Sequence, residues 1–518
     1  MSTTTSTQTS SSHAAAVAAP AETSPDAVPE LVAAAVAAGQ RWAATFRTDR
    51  ATILDAVADA LDAAGDTLVP LAQEESHLPE GRLRGELLRT TFQLRLFGEV
   101  LRDGGYLDVR VDHADPDWPM GAPRPDLRRT QLPLGPVVVF AAVNFPFAFS
   151  VAGGDTASAL AAGCPVLLKA HPGHPRLSVA TADVVRTALT SAGAPDDLFT
   201  LLVGDEAGRA ALTDPGVQAG AFTGSTVGGR TLFDLATSRP VPIPFFGELG
   251  SVNPVFVTRA SAEARGPEIA TQAVASFTLG VGQFCTKPGV LLVPEGSSVV
   301  EALRTADLPG AAPMLSERMV SGHNRVRHEL EGLPHVSVLA RASDSDDGTP
   351  GPTVLLTDVA SLLADLEELF RECFGPTLLV ATYTGEADLL ALAQAIDGQL
   401  TASVFGEPSD VDSADVAELV AVLATKAGRL LWNGWPTGVS VTYAQQHGGP
   451  YPATTAPSTT SVGTAAIFRF LRPVAYQGFP QALLPAELRD EADVPRRVDG
   501  SLAPSTGSGN VAGSGNVE

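Results

Sequence analysis

Cysteine is scarce: Cys164, Cys285 and Cys373 are the only three in 518 residues. That is too few for a disulfide framework, and none sits in a CxxC pair of metal-ligand spacing. No metal is therefore expected, and a reducing cytoplasm suits the composition. Basic residues are also in deficit. Lys and Arg number 34 against 58 Asp and Glu, for a formal net charge of −24. Such a surface repels nucleic acid and anionic membrane, which removes both as expected partners. The N-terminus, MSTTTSTQTSSSHAAAVAAP, lacks the basic and apolar regions of a signal peptide and reads as a tail, as do residues 1–27 as a whole. No residue from Gln131 to Gly154 is charged. Pro133, Pro136, Asn144 and Pro146 break that run, so it reads as a buried strand, a loop and a helix start, not a membrane span.

What is present is a helical block and then alternation. Residues 28–104 carry apolar side chains at helical spacing and stop at Gly104 and Gly105. DHADPDWPMGAPRPD is a proline-rich connection. Beyond it, PVVVFAAV, PVLLKA, LFTLLVG and VQAGAFTG read as strands, each followed by a helical segment. Repeated β-α-β units imply a parallel sheet, which binds ligands at the carboxyl ends of its strands. A second α/β region begins near Asn253, and TTSVGTAAIFRFLRPVAYQGF again reads as strand. Residues 495–518 read as a flexible tail. Gly507, Gly509 and Ala512 there satisfy GxGxxG/A, but no strand precedes them and no helix follows, so the match is rejected.

Five local readings carry chemistry. Cys285, in GQFCTKPG, sits in a glycine- and proline-bounded loop, where a thiol is accessible. Alone it is equally a small buried filler, since a nucleophilic cysteine needs a base or positive field and an oxyanion donor. Glu248, in PFFGELG, is a carboxylate in apolar surroundings, either paired or raised in pKa toward general-base work. Asn144 ends a strand, where its amide either donates to an oxyanion or caps the turn before Pro146. FTGST is a strand-to-helix corner whose Gly224 and Ser225 hold a phosphate or form a plain cap. Lys169, at the end of a strand, meets a ribose or phosphate or extends to solvent.

Taken in order, VNFPF, LLKAHP, FTGST, GELG, GQFC and ECFGP resemble the NAD(P)-dependent aldehyde dehydrogenase superfamily over roughly residues 28 to 490. Within it, SVAGGDTASALAAGCPVLLKAHPGHP, GELGSVNPVF and HGGPYPATT are most similar to the NADP-type α-ketoglutaric semialdehyde (2,5-dioxovalerate) dehydrogenase group. The resemblance implies an α/β fold: a Rossmann-type cofactor domain (28–111 and 134–252), an α/β catalytic domain (253–445) and a β oligomerisation arm (112–133 and 464–480). It also implies a homodimer or homotetramer. Cys285 would be the nucleophile, Asn144 the oxyanion donor and Glu248 the base that activates water. Lys169, His171, Arg209, Gly224, Ser225, Gly229, Leu249, Glu372 and Phe374 would hold the cofactor.

Two positions depart from the family pattern. Pro172 stands where NAD-preferring members carry a glutamate that binds ribose hydroxyls, so NADP is expected, with NAD also admitted. Lys287 replaces an asparagine; its charge either favours thiolate or points to solvent. For the substrate, Arg89 and Gln93 lie four apart on one helical face and form a candidate carboxylate anchor, or a packing helix. Phe145, Phe277 and Phe284 are candidates for an apolar funnel. The reaction implied is oxidation of α-ketoglutaric semialdehyde. A medium- or long-chain fatty aldehyde dehydrogenase, a CoA-acylating relative and a catalytically silent homologue are the alternatives.

Overall fold

A computed structural model describes residues 20–503. The chain opens with helices α1 (Val28–Ala44), α2 (Arg47–Ala63), α3 (Gly65–Ser76) and α4 (Glu80–Asp103). Leu54, Val57 and Leu61 of α2 and Leu94, Phe97 and Leu101 of α4 recur at helical spacing and face one another in the main core. α4 stops at Gly104, whose φ of +80° suits only a residue without a Cβ, and its N–H donates to Val100 O.

Next come β1 (Val109–Asp112), β2 (Leu127–Pro133), β3 (Val137–Phe140), α5 (Gly154–Ala162), β4 (Val166–Lys169), α6 (Pro175–Ser191) and β5 (Phe199–Leu202). α7 (Asp205–Thr213), β6 (Ala219–Thr223), α8 (Thr226–Thr237) and β7 (Phe245–Glu248) complete the first α/β unit. Its sheet is parallel with order β5-β4-β3-β6-β7. The chain runs outward from β3 to one side and returns to start the other, so β3 and β6 flank a topological switch point. Register aligns Lys169 with Phe140, Phe140 with Phe222, and Thr223 with Glu248. One rim of the sheet thus collects Lys169, Asn144, Ser225 and Glu248.

The second unit holds β8 (Val255–Val257), α9 (Arg259–Thr278), β9 (Val290–Pro294), β10 (Ser337–Arg341), β11 (Thr353–Asp358), β12 (Thr377–Tyr383), β13 (Gln399–Phe405) and β14 (Ala427–Trp432). The strand order is β10-β11-β12-β9-β8-β13-β14, parallel except for β10. A third sheet joins β15 (Leu471–Gln477), β2, β1, β16 (Arg496–Val498) and β17 (Ser501–Ala503) in that order.

Several boundaries differ from expectation. β1 belongs to the third sheet, which therefore starts at Val109 and not at 112. Residues 464–470 are 3-10 turns instead of strand, because Phe470 packs edge-on against Phe246 and Arg469 turns inward. β16 and β17 lie inside the segment read as a C-terminal tail, where β1 supplies a pairing edge. Residues 20–27 are also tied down: Thr23 exchanges hydrogen bonds with Val203 through its N–H and its Oγ1. The rejected glycine pattern at 507–512 lies outside the described residues. Among the described residues no helix is long and apolar enough to cross a membrane.

Candidate active site

Three segments far apart in sequence meet at Cys285. Glu248 ends β7. Cys285 lies in the loop between α9 and β9. His447 comes from the irregular segment after β14. Cys285 Sγ is 3.6 Å from His447 Nε2, which is 2.9 Å from Glu248 Oε1. Ser461 Oγ donates to the other carboxylate oxygen of Glu248. His447 and Glu248 are 0% and 1% exposed, while the thiol is partly exposed. Burial, reinforced by the Glu248 charge, raises the thiol pKa well above its ordinary value.

Glu248 departs from the raised pKa expected of an apolar carboxylate. Burial pushes it up, but His447, Ser461 and the cation Arg469 outweigh that and hold it below its usual range. It is the paired form of the two readings. Behind it, buried Arg469 Nη1 donates to buried Asp155 Oδ1 at 2.7 Å.

The Cys285 loop is fixed by its backbone. Asn253 Nδ2 donates to Cys285 O at 2.8 Å and to Lys287 O at 3.0 Å, and Asn253 Oδ1 accepts from Ser251 and Thr401. Asn144 Nδ2 donates to Gln283 O at 3.0 Å, which orients the amide beside the loop and leaves its second N–H. Gly282 has a φ of +66°, and a Cβ there would lie 2.2 Å from Gly375 O. Only glycine lets the ECFGP segment press against the loop. Lys287 answers the question its position raised: it neither meets the thiol nor reaches water. Its buried ammonium donates to Cys373 O at 2.9 Å and Thr377 O at 2.8 Å, stapling the two segments together.

Glu372 and Phe374 share that stapled segment. Burial raises the Glu372 carboxyl to about 7, against the pull of Lys287. The carboxylate lies over Gly250, where a Cβ would come within 2.5 Å of Glu372 Oε2. A cleft of about 610 Å³ runs here past Thr226, Gly250, Glu372 and Gln399. At its rim Ser225 accepts from Gly228 N–H, the cap reading of that residue. Gly229 must be glycine because a Cβ would meet Leu249 at 2.1 Å; a Cβ on Gly224 would meet the Phe222 ring at 2.6 Å. Lys169 pairs with Asp205, with exposed Arg209 one turn further along α7. His171 Nδ1 accepts from Gly173 N–H, and burial lowers its pKa to about 3, so it is neutral near pH 7. A glycine-lined crevice at a switch point, with a lysine at one end and a carboxyl at the other, fits a dinucleotide.

On the substrate side, Phe145 packs against Phe149 and Phe284, both at 5.3 Å between ring centres. Arg82 lies over Phe284 and donates to Asn144 O. Arg89 lies over Phe149, and its Nη1 is buried with no hydrogen-bond partner among the described residues. Burial lowers its pKa, opposed by the charges of Glu86, Cys285 and Glu248. Gln93 is buried against Gly154, close to Ser461 O. Phe277 leaves the funnel altogether. Ile269, Ala273 and Phe277 share one face of α9, and Phe277 is 0% exposed among Val255, Leu291 and Phe405 in the second unit's core.

Residues 2–307 match the description "Aldehyde dehydrogenase family". The chain is 45% identical to alpha-ketoglutaric semialdehyde dehydrogenase 2 of Azospirillum brasilense, over 87% of each. It is 41% identical to the alpha-ketoglutaric semialdehyde dehydrogenase of Acinetobacter baylyi, over 92% of this chain and 91% of that one. The chain belongs to the aldehyde dehydrogenase family. The enzyme is an oxidoreductase that acts on aldehydes, and its family uses NAD(P). The fold agrees: a Pseudomonas syringae aldehyde dehydrogenase C variant with NAD+ and octanal superposes with a TM-score of 0.74 at 20% identity, over 90% of this chain and 91% of that one.

His447, Ser461, Asn253 and the Arg469–Asp155 pair were not singled out from sequence. His447 does stand in HGGPYPATT, a phrase that carries the resemblance, yet nothing local marks its partner 162 residues away.

Proposed function

We propose that this enzyme oxidises α-ketoglutaric semialdehyde to the corresponding 2-oxo diacid with NADP as cofactor. The observation that carries the substrate is Arg89: a half-buried guanidinium whose buried Nη1 makes no hydrogen bond among the described residues, within electrostatic reach of Glu86, Cys285 and Glu248. A buried N–H left without an acceptor is costly unless a ligand supplies one. The substrate's distal carboxylate supplies that anion. The relatives' names agree in substrate class.

The residues divide the work as follows. His447 takes the thiol proton as its own Nε2 proton passes to Glu248, and Sγ attacks the aldehyde carbon. Asn144 and the N–H of Cys285 donate to the oxyanion. The cofactor, when bound, would supply the hydride acceptor that turns this adduct into a thioester. Glu248 loses the proton it took from His447 to solvent and, as carboxylate, takes a proton from water as the water attacks the thioester; the proton returns through His447 to the departing Sγ, which leaves as thiol. Glu248 also separates this reading from CoA acylation, which has no use for a hydrolytic base. Lys169 and Arg209 would hold the adenosine end of the cofactor, and Glu372 the ribose of its nicotinamide half. Pro172 offers no carboxylate to repel a 2′-phosphate. The arm, whose edge strand β15 leads from exposed Phe468 to exposed Phe479, joins copies of the chain. A reducing cytoplasm keeps Cys285 a thiol.

Arg89→Leu tests the substrate. KM for the semialdehyde should rise about 10- to 100-fold, the loss of one charged hydrogen-bonded contact, while hexanal is unaffected. Equal effects on both would favour the fatty-aldehyde reading, which Phe145, Phe149 and Phe284 suit.

A further inference from the structure

We propose that Cys285, His447 and Glu248 form a binding site for a zinc-class divalent cation, and that occupying it switches the enzyme off. Sγ, Nε2 and Oε1 lie within 4.8 Å of one another, the one such group among the described residues. Zinc takes thiolate at about 2.3 Å and imidazole at about 2.0–2.1 Å. A tetrahedral angle between those bonds places sulfur and nitrogen roughly 3.6 Å apart. Sγ and Nε2 are 3.6 Å apart already. The Nε2–Oε1 distance of 2.9 Å is shorter than the roughly 3.3 Å of the same geometry, a gap closed by a small swing of the carboxylate.

The donor set selects the ion. Thiolate, imidazole and carboxylate together suit zinc and its neighbours, and poorly suit magnesium or calcium, which want oxygen throughout. Ser461 holds the second oxygen of Glu248 and so orients one ligand from behind. The partly exposed thiol leaves the fourth position open toward the substrate side. One feature distinguishes this from a resident metal centre. His447 Nδ1 is buried without a partner among the described residues, so the imidazole lacks the outer contact that a dedicated ligand has. The site is therefore a reversible one.

Binding breaks the Sγ–H bond and forms Sγ–metal, and the imidazole proton shifts from Nε2 to Nδ1 so that the Nε2 lone pair ligates; the thiol proton leaves to solvent and no electrons move. The same lone pairs that attack the aldehyde and accept the thiol proton are then held by the cation. Inhibition competes with protons and weakens as pH falls.

The test uses the full-length protein with cobalt(II) as a spectroscopic probe and zinc as the inhibitor. Cobalt should bind one per chain, with a thiolate-to-cobalt charge-transfer band. Zinc should displace it and stop turnover, and EDTA should restore activity. His447→Asn should weaken metal binding by at least about tenfold, and Ser461→Ala by about 10- to 100-fold. Cys285→Ser should abolish the band; circular dichroism and cofactor binding check that each variant is folded. A band unchanged in folded His447→Asn, or persisting in Cys285→Ser, would overturn the site, as would no cobalt bound. The binding measurement does not depend on catalysis. Metal held by these three residues without loss of turnover would overturn the switch and the nucleophile assignment together.

Discussion

At the Cys285 end of the crevice, Glu248 and His447 are almost wholly buried and each meets a polar partner, with the Arg469–Asp155 pair behind them. At the Lys169 end, the lysine finds its counter-charge in Asp205, whose side chain is 76% exposed, and Arg209 is exposed beside it. The two ends differ in how charge is compensated. Glu248, His447, Arg469 and Asp155 are held by other interior groups, so their geometry exists before any ligand arrives. Rim charges are compensated by a carboxylate that water screens, and it is readily exchanged for a ligand. The difference matches the tasks: chemistry needs fixed positions, whereas a cofactor must enter and leave.

The contrast is broken most severely from within. Arg469→Leu strands Asp155 in the interior and should cost about 3–5 kcal/mol in urea unfolding, with Arg469→Lys recovering part. A loss under 1 kcal/mol would show that the pair behaves like a surface one. Glu372 stands between the two ends. Its carboxyl, raised to about 7 by burial, is neutral below that pH and ionised above it. Ribose hydroxyls donate to the ionised form, so cofactor KM should fall as pH rises through about 7. Glu372→Gln should remove that step. The smallest effect belongs to the rim. Asp205→Asn frees Lys169 and removes a charge that repels a 2′-phosphate. It should raise the NADP-to-NAD ratio of kcat/KM by about fivefold or less. No change would separate Asp205 from cofactor choice.

The same division shows in what could be read from sequence. The α/β alternation was legible because parallel strands and their covering helices write strong local periodicities. Cys285, Glu248 and Asn144 each stood out as a polar group in apolar or glycine-rich company, and the order of motifs linked them. His447 did not stand out, because its partners are brought to it by folding alone. Phe277 was misplaced for a related reason: an aromatic near a nucleophile in sequence can still sit on the opposite face of its helix, and the spacing to Ile269 and Ala273 is the signal that marks it as core. Lys287 was undecidable locally, since its acceptors are carbonyls of a segment some 90 residues on. The tail strand β16 exists only because β1 offers it an edge.

The central claim is that Cys285, His447 and Glu248 act as one proton-sharing unit. The most direct test is the rate at which Cys285 is alkylated by iodoacetamide, followed by mass spectrometry from neutral to alkaline pH in the native protein and in His447→Asn. The account predicts that His447→Asn slows alkylation near neutral pH by about 10²–10⁴-fold, the worth of a positioned base, and that the rate recovers only in alkali. Equal rates and equal pH profiles would contradict it.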